Sequence, residues 1–281
     1  DNGEDYIIPE DVRLEIIKLR RKYKSAAALV NNIPTNSITG SFNFEDGEPT
    51  TLTDFSDGET LTDSDDPKIK QKTFECKQWG NIIGISNRLI GTEKAQLMSY
   101  IDTWFVKKAI LTENLKIFTE LKKDKTAVAC KSLDDFLKIM ITEIDPAFEG
   151  DMRIITNQNG LYWMATQTDA DGNKLLMRDV SNPAIKRFNG AMVEVFPNKQ
   201  LPNTGNKVPF FIGNIADGCY FVTHEQYSMA ASEHALFNKN QKALRIIEDF
   251  DVIGADKDAY VFAEVDTTAA AASTEDSGGS K

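Results

Sequence analysis

Between Glu45 and Asp66 the chain carries nine acidic residues (Glu45, Asp46, Glu48, Asp54, Asp57, Glu59, Asp63, Asp65 and Asp66) and no basic one. On both sides of this run the sequence alternates as a strand does. Ile38–Phe44 (ITGSFNF) puts Phe42 and Phe44 on one face, and Lys68–Trp79 (KIKQKTFECKQW) puts Lys68, Lys70 and Lys72 on one side. Paired, the two segments make a long two-stranded flap with an acidic tip. Such a ribbon is marginal alone, because it has little apolar surface to bury against itself. A loop of this length inside a compact domain is either functional or disordered. A solvated loop is the simpler reading. The one adopted is a flap that folds onto a neighbouring copy of the chain, its acidic and basic halves meeting opposite charges there.

The rest of the chain is large enough to hold such a flap. Its 281 residues are 41% hydrophobic, and a chain of this length is about twice the usual single domain. Lys and Arg number 32 against 43 Asp and Glu, a formal net charge of -11. That balance argues against a free-standing nucleic-acid binder, since phosphate contacts need clustered cations. No run approaches the roughly 18 apolar residues that span a bilayer, and no signal peptide opens the chain. The three cysteines (Cys76, Cys130, Cys219) are far apart and form no CxxC pair, which suits a reducing site of synthesis.

Motifs for chemistry are sparse. His224 and His234 stand ten apart, without the i, i+4 spacing or the nearby cysteines of a zinc site. Gly84-Ile85-Ser86-Asn87 begins like a nucleophile elbow and lacks its closing glycine. There is no Walker loop and no GxGxxG. Thr168–Asn173 (TDADGN) lacks the remaining ligands of a calcium loop, and Asp171-Gly172 reads as a hairpin turn. Neither a catalytic site, a metal nor a cofactor is expected.

Along the chain, Pro9–Lys24 reads as a helix, with Val12, Ile16, Leu19 and Tyr23 on one face and cations in its last turns. Asn81–Ile90 reads as a buried strand or turn. The longest helix is expected from Thr92, as its cap, to Lys122, with Leu97, Ile101, Trp104, Leu111, Leu115 and Phe118 facing inward. A second helix runs from Ser132 to Ile144, opened by a Ser132/Asp135 capping box and stopped at Asp145-Pro146. Strands follow at Met152–Thr156, Ala191–Phe196, Phe210–Gly213 and Cys219–Thr223, with a short helix at Gly160–Ala165. Lys242–Phe250 and Tyr260–Val265 read as two strands returning to the long helix. Residues 266–281 lack large apolar side chains and read as a disordered tail.

This order of elements resembles the major capsid proteins of tailed bacteriophages, the family with the Hong Kong 97 capsid fold. The likeness spans Ile7 to Val265. Ile7-Ile8-Pro9-Glu10-Asp11-Val12 is similar to the opening of that family's N-terminal arm, and Gly84–Ile90 to its strand-to-helix junction. Thr168–Met177 and Phe188–Val193 resemble a hairpin and strand of the axial domain. Leu236–Val265, with Arg245 and Asp258-Ala259-Tyr260-Val261, resembles the peripheral strands.

The resemblance implies an α+β fold. Its parts would be an N-terminal arm (1–37), an extended loop (38–80), a peripheral domain (81–130 and 231–265) with a spine helix at 92–122, an axial domain (131–230) and the tail. It implies a non-enzymatic shell subunit of the virion, made in the bacterial cytoplasm. Copies would assemble as pentamers and hexamers around double-stranded DNA held without sequence-specific contacts. Portal, maturation protease and decoration proteins are further partners it implies, and no membrane is involved. The inter-subunit loop would carry Phe42, Phe44, Asp54, Asp57, Asp63, Asp65, Asp66, Lys68, Lys70 and Lys72. The start at Asp1 is similar to the terminus left by a maturation protease.

Some family members cross-link subunits through a loop lysine, a peripheral asparagine and a buried glutamate. Here Lys68, Lys70 or Lys72 and Asn240 fall in similar regions, but Ile247 stands where the glutamate would, with Glu248 one residue off. A one-residue shift in a strand points a side chain to the opposite face, so cross-linking is not expected. Two rival readings are an encapsulin-like compartment, disfavoured by the missing initiator Met, and a monomeric binding module.

Overall fold

A computed structural model of the chain describes residues 23–45, 51, 54, 57, 68–169, 171–179 and 182–267. In chain order its strands are β1 (Asn31–Pro34), β2 (Thr39–Glu45), β3 (Ile69–Glu75), β4 (Lys77–Ser86), β5 (Val128–Cys130), β6 (Arg153–Asn157), β7 (Leu176–Arg178), β8 (Lys186–Phe188), β9 (Ala191–Phe196), β10 (Lys207–Gly213), β11 (Cys219–Leu236), β12 (Gln241–Gly254) and β13 (Tyr260–Asp266). The helices are α1 (Asn87–Lys122), α2 (Leu133–Thr142), α3 (Gln158–Thr166) and the single turn α4 (Ile215–Gly218).

These strands form a four-stranded sheet in the order β1-β11-β12-β4, a seven-stranded sheet in the order β5-β13-β10-β6-β9-β8-β7, and the separate ribbon β2-β3. The α+β class read from the sequence holds, as does the strand–helix junction near residue 86. Two strands change sheets from the expected grouping. Cys219–Thr223 belongs to the four-stranded sheet, where Cys219 lies opposite Gly254, and Tyr260–Val265 belongs to the seven-stranded one, where Phe262 lies opposite Phe211. The cause is local. Asn214 accepts from the backbone of Ala216 and Asp217 and caps α4, and that turn carries the chain from β10 across to the other sheet.

β10 explains its own unbroken apolar run. Phe210 and Ile212 face one core, with Phe136, Trp163 and Phe188, while Phe211 faces the other, with Phe118, Phe196 and Phe262. A strand covered on both faces needs no polar alternation. Cys76, Cys130 and Cys219 are all buried. Desolvation pushes the Cys130 thiol up to about 12 and raises that of Cys219, so both stay protonated at neutral pH.

α1 is 36 residues long, about 54 Å at 1.5 Å per residue. It starts five residues earlier than expected, at Asn87. Its N-cap is the extended Ser86, which makes no side-chain cap bond, so Thr92 lies inside the helix. The expected inward face is also corrected: Leu111 and Leu115 are 46% and 56% exposed, while Val106, Ile110, Ile117 and Leu121 are buried. The helix crosses two different bodies. Ile101 and Phe105 pack on Ile85, Leu244 and Ile246 of the four-stranded sheet, whereas Ile117, Phe118 and Leu121 enter the core shared with the seven-stranded sheet. A buried face that turns along the helix is not a single stripe in the sequence.

The expected helix Pro9–Lys24 lies outside the described residues except at Tyr23 and Lys24, which are not helical. Lys24 pairs instead with Glu194 at 2.6 Å and lies over the Phe196 ring. Asn114, fully buried, fixes this entry to α1. Its Oδ1 accepts from Ala26 N at 2.6 Å, and its Nδ2 donates to Lys24 O and Gln200 Oε1. The Ser132/Asp135 capping box of α2 is present. The turn at Asp171-Gly172 is present too, with Gly172 at φ 83° and Thr168 bridged to Lys174. Of the expected tail, only Asp266 and Thr267 are described; Asp266 still belongs to β13.

Asn114→Ala strands a buried N–H and loses three hydrogen bonds at once. Each stranded buried group costs about 1–3 kcal/mol, so denaturant unfolding of this variant should give a midpoint well below that of the parent chain.

Candidate assembly surface

The ribbon forms as its alternation requires. β2 and β3 pair antiparallel, with Gly40 opposite Phe74, Phe42 opposite Lys72 and Phe44 opposite Lys70. All six share one face, because side chains alternate along each strand and directly opposed residues point the same way. The expected single strand Lys68–Trp79 is broken at Cys76. Its first half stays in the ribbon and its second half becomes β4 of the four-stranded sheet. The ribbon is thereby bolted to the body at its stem.

One face of that stem packs on its own sheet, an apolar surface the alternation alone does not show. Phe42 stacks on Phe74 with ring centroids 5.2 Å apart and meets the edge of Tyr220 at 6.3 Å; Phe44 lies 5.5 Å from the same tyrosine. Phe74, Cys76, Val222 and Ile253 close the cluster underneath. Aromatic pairs of this kind contribute about 0.5–1.5 kcal/mol beyond the area they bury. Gly40 is required here, since a Cβ at that position would sit 2.6 Å from the Phe74 ring.

Lys72 completes the anchor. Its Nζ donates to Gly254 O and Ala255 O, both at 2.6 Å, at the end of β12, and lies over the Phe44 ring. Burial, and after it the neighbouring Lys257 and Lys70, lowers its pKa from the ordinary lysine value. The two carbonyl dipoles compensate a charge that would otherwise be costly to desolvate. One further bond joins ribbon and sheet: Glu75 N donates to Asp251 Oδ2 at 2.9 Å.

Of the other residues read from the sequence, Asp54, Asp57, Lys68 and Lys70 are exposed, and Asp63, Asp65 and Asp66 lie outside the described residues. The structure brings Phe42, Phe44 and Lys72 together. It adds Tyr220, Asp251 and the Gly254-Ala255 carbonyls, which sequence reasoning missed. Tyr220 was visible only as one apolar residue of CYFV, and backbone carbonyls leave no mark in a sequence. Asn240 occupies a left-handed turn (φ 50°) between β11 and β12, where its Oδ1 accepts from Asn87 Nδ2 at 2.9 Å. Glu248 is buried, and Ile247 is half-buried on the opposite face of β12.

Among the described residues no helix is long and apolar enough to cross a membrane. With these features in place, the sequence matches the phage capsid family over residues 4–265. No curated protein matches it. Solved structures with the same fold include the capsid of a native GTA particle, at 13% identity over 86% of this chain and 89% of that one, with a TM-score of 0.71. A Microbacterium phage Oxtober96 chain is 16% identical over 86% and 91%, with a TM-score of 0.66. A chain of the bacteriophage PhiM1 mature capsid is 9% identical over 87% and 88%, with a TM-score of 0.63. The encapsulin-like and monomeric-module readings find no support among these matches.

Lys72→Met keeps the packing of the aliphatic stem and removes both carbonyl bonds, worth about 1 kcal/mol each at a partly exposed site. Hydrogen exchange should then quicken at residues 39–45 and 69–75 while the seven-stranded sheet keeps its protection.

Proposed function

Because the chain belongs to the phage capsid family, we propose that it builds the icosahedral shell of a phage head through its ribbon, whose stem is held by its own sheet while the acidic segment beyond Glu45 seats on a neighbouring copy. The observation that carries this is the anchor itself. A ribbon loose along its whole length would lose conformational entropy at every contact, whereas a fixed stem has already lost most of it before assembly. Individual contacts between copies can then be modest, because many act together at high effective concentration.

Copies group as pentamers and hexamers and enclose double-stranded DNA without reading its sequence. A net charge of -11 suits a wall that holds DNA weakly, since phosphates repel it. Portal, maturation protease and decoration proteins are the further partners of such a shell. Asp54, Asp57, Asp63, Asp65, Asp66, Lys68 and Lys70 are the charged contacts of the segment. The chain performs no catalysis in this role.

Deleting residues 46–66 tests the proposal, because the stem and both sheets remain. The expected product is a folded, soluble protomer that forms no regular shells in electron micrographs. Intact particles of normal diameter from that deletion would contradict the role given to the ribbon.

A further inference from the structure

Sheet edges invite pairing with other chains, and proteins guard them with charge, proline or brevity. Four of the edges described here are guarded. β1 is four residues long and ends in Pro34, while β5 and β7 have three residues each. The β3 edge of the ribbon carries Lys70 and Lys72. β4 differs from all of these. It is ten residues long and stands at the outside of the four-stranded sheet, with β12 as its one strand partner among the described residues. After Lys77 at its start, from Gln78 to Ser86, it carries no charged residue and no proline. Gly80, Asn81, Ile82 and Gly84 are exposed, Ile82 to 57%.

An unguarded edge of this length in a folded protein is an interface awaiting a strand, and we infer that β4 is completed in the assembled shell by β2 of a second copy. This rests on the ribbon reading above and names the surface that receives it. β2 suits β4 on three counts. Among the described residues its own outer side has no strand partner, since the ribbon there holds two strands. Thr39–Phe44 brings no charge, so no like charges are set opposite each other, and its exposed Thr39, Ser41 and Asn43 are small and polar. Opposite charges are available at one end of the pair, since Lys77 opens β4 and β2 ends on Glu45. The contact would be heterologous, a different surface on each copy, which extends from copy to copy and closes only where symmetry closes it.

Hydrogen exchange on wild-type particles against unassembled protomers tests this, paired with Ile82→Glu. Ile82 lies opposite Arg245 in the β4–β12 pair, so the new carboxylate has a partner within its own sheet and the protomer should melt as the parent does. The expected result is at least tenfold slower exchange on assembly for residues 78–85 and 39–45 together, and at least tenfold fewer particles from Ile82→Glu. Particles in which residues 78–85 exchange as fast as in protomers would overturn the inference and leave the shell reading standing. So would protection of 78–85 without 39–45, which means a different partner strand, or normal particle yield from Ile82→Glu. Failure of the wild-type chain to assemble at all would overturn both readings.

Discussion

The stack of Phe42 on Phe74, edge-on to Tyr220, is where the ribbon stops being an isolated hairpin and becomes an extension of the body. Two strands alone have one face too few to bury. Here the missing face is supplied by β11 and β12, with the Lys72 amine closing onto the carbonyls at the end of β12. Both ends of the acidic segment therefore leave from a stem with a defined position. In the proposed shell, the stem would set how far the ribbon reaches toward a neighbour, and its charge pattern what it meets there.

The stem in turn depends on β12, and β12 depends on α1. The helix packs its first half on the four-stranded sheet through Ile101 and Phe105 and its second half in the common core through Ile117 and Leu121. Through Asn114 it also fixes the chain just before β1. One rigid element thus sets the relation between two sheets that share no strand pairing, and a load on the ribbon passes through β12 to α1. Trp79 on Phe250, with Lys116 over the indole, is the link at the point where β4, β12 and helix meet.

Local signals carried much of this into the sequence. The Ser132/Asp135 box, the Asp171-Gly172 turn and the alternation of the ribbon strands each depend on residues close in the chain and are present, although the second strand leaves the ribbon at Cys76. The failures share a cause. A repeat of threes and fours along one face puts Leu111 and Leu115 inward, while the real buried face turns between two sheets and leaves both exposed. The pairing of Tyr260–Val265 with β10 is not legible, because β10 lies some 50 residues back in the chain and shows no register in the sequence. The acidic and basic residues of the ribbon were legible as a pattern. Its anchor was not, since two backbone carbonyls and one tyrosine on a distant strand make it.

The central claim is that the stem is held within its own chain and the segment beyond it by another. A cryo-electron reconstruction of the assembled full-length chain, with the ribbon traced from Thr39 to Glu75, measures this directly. The result expected is density in which Phe42, Phe74 and Lys72 keep their contacts to Tyr220, Gly254 and Ala255 of their own chain while residues 46–66 lie on an adjacent copy. A ribbon folded along its whole length onto its own body, with no neighbour within reach of the acidic segment, would contradict it.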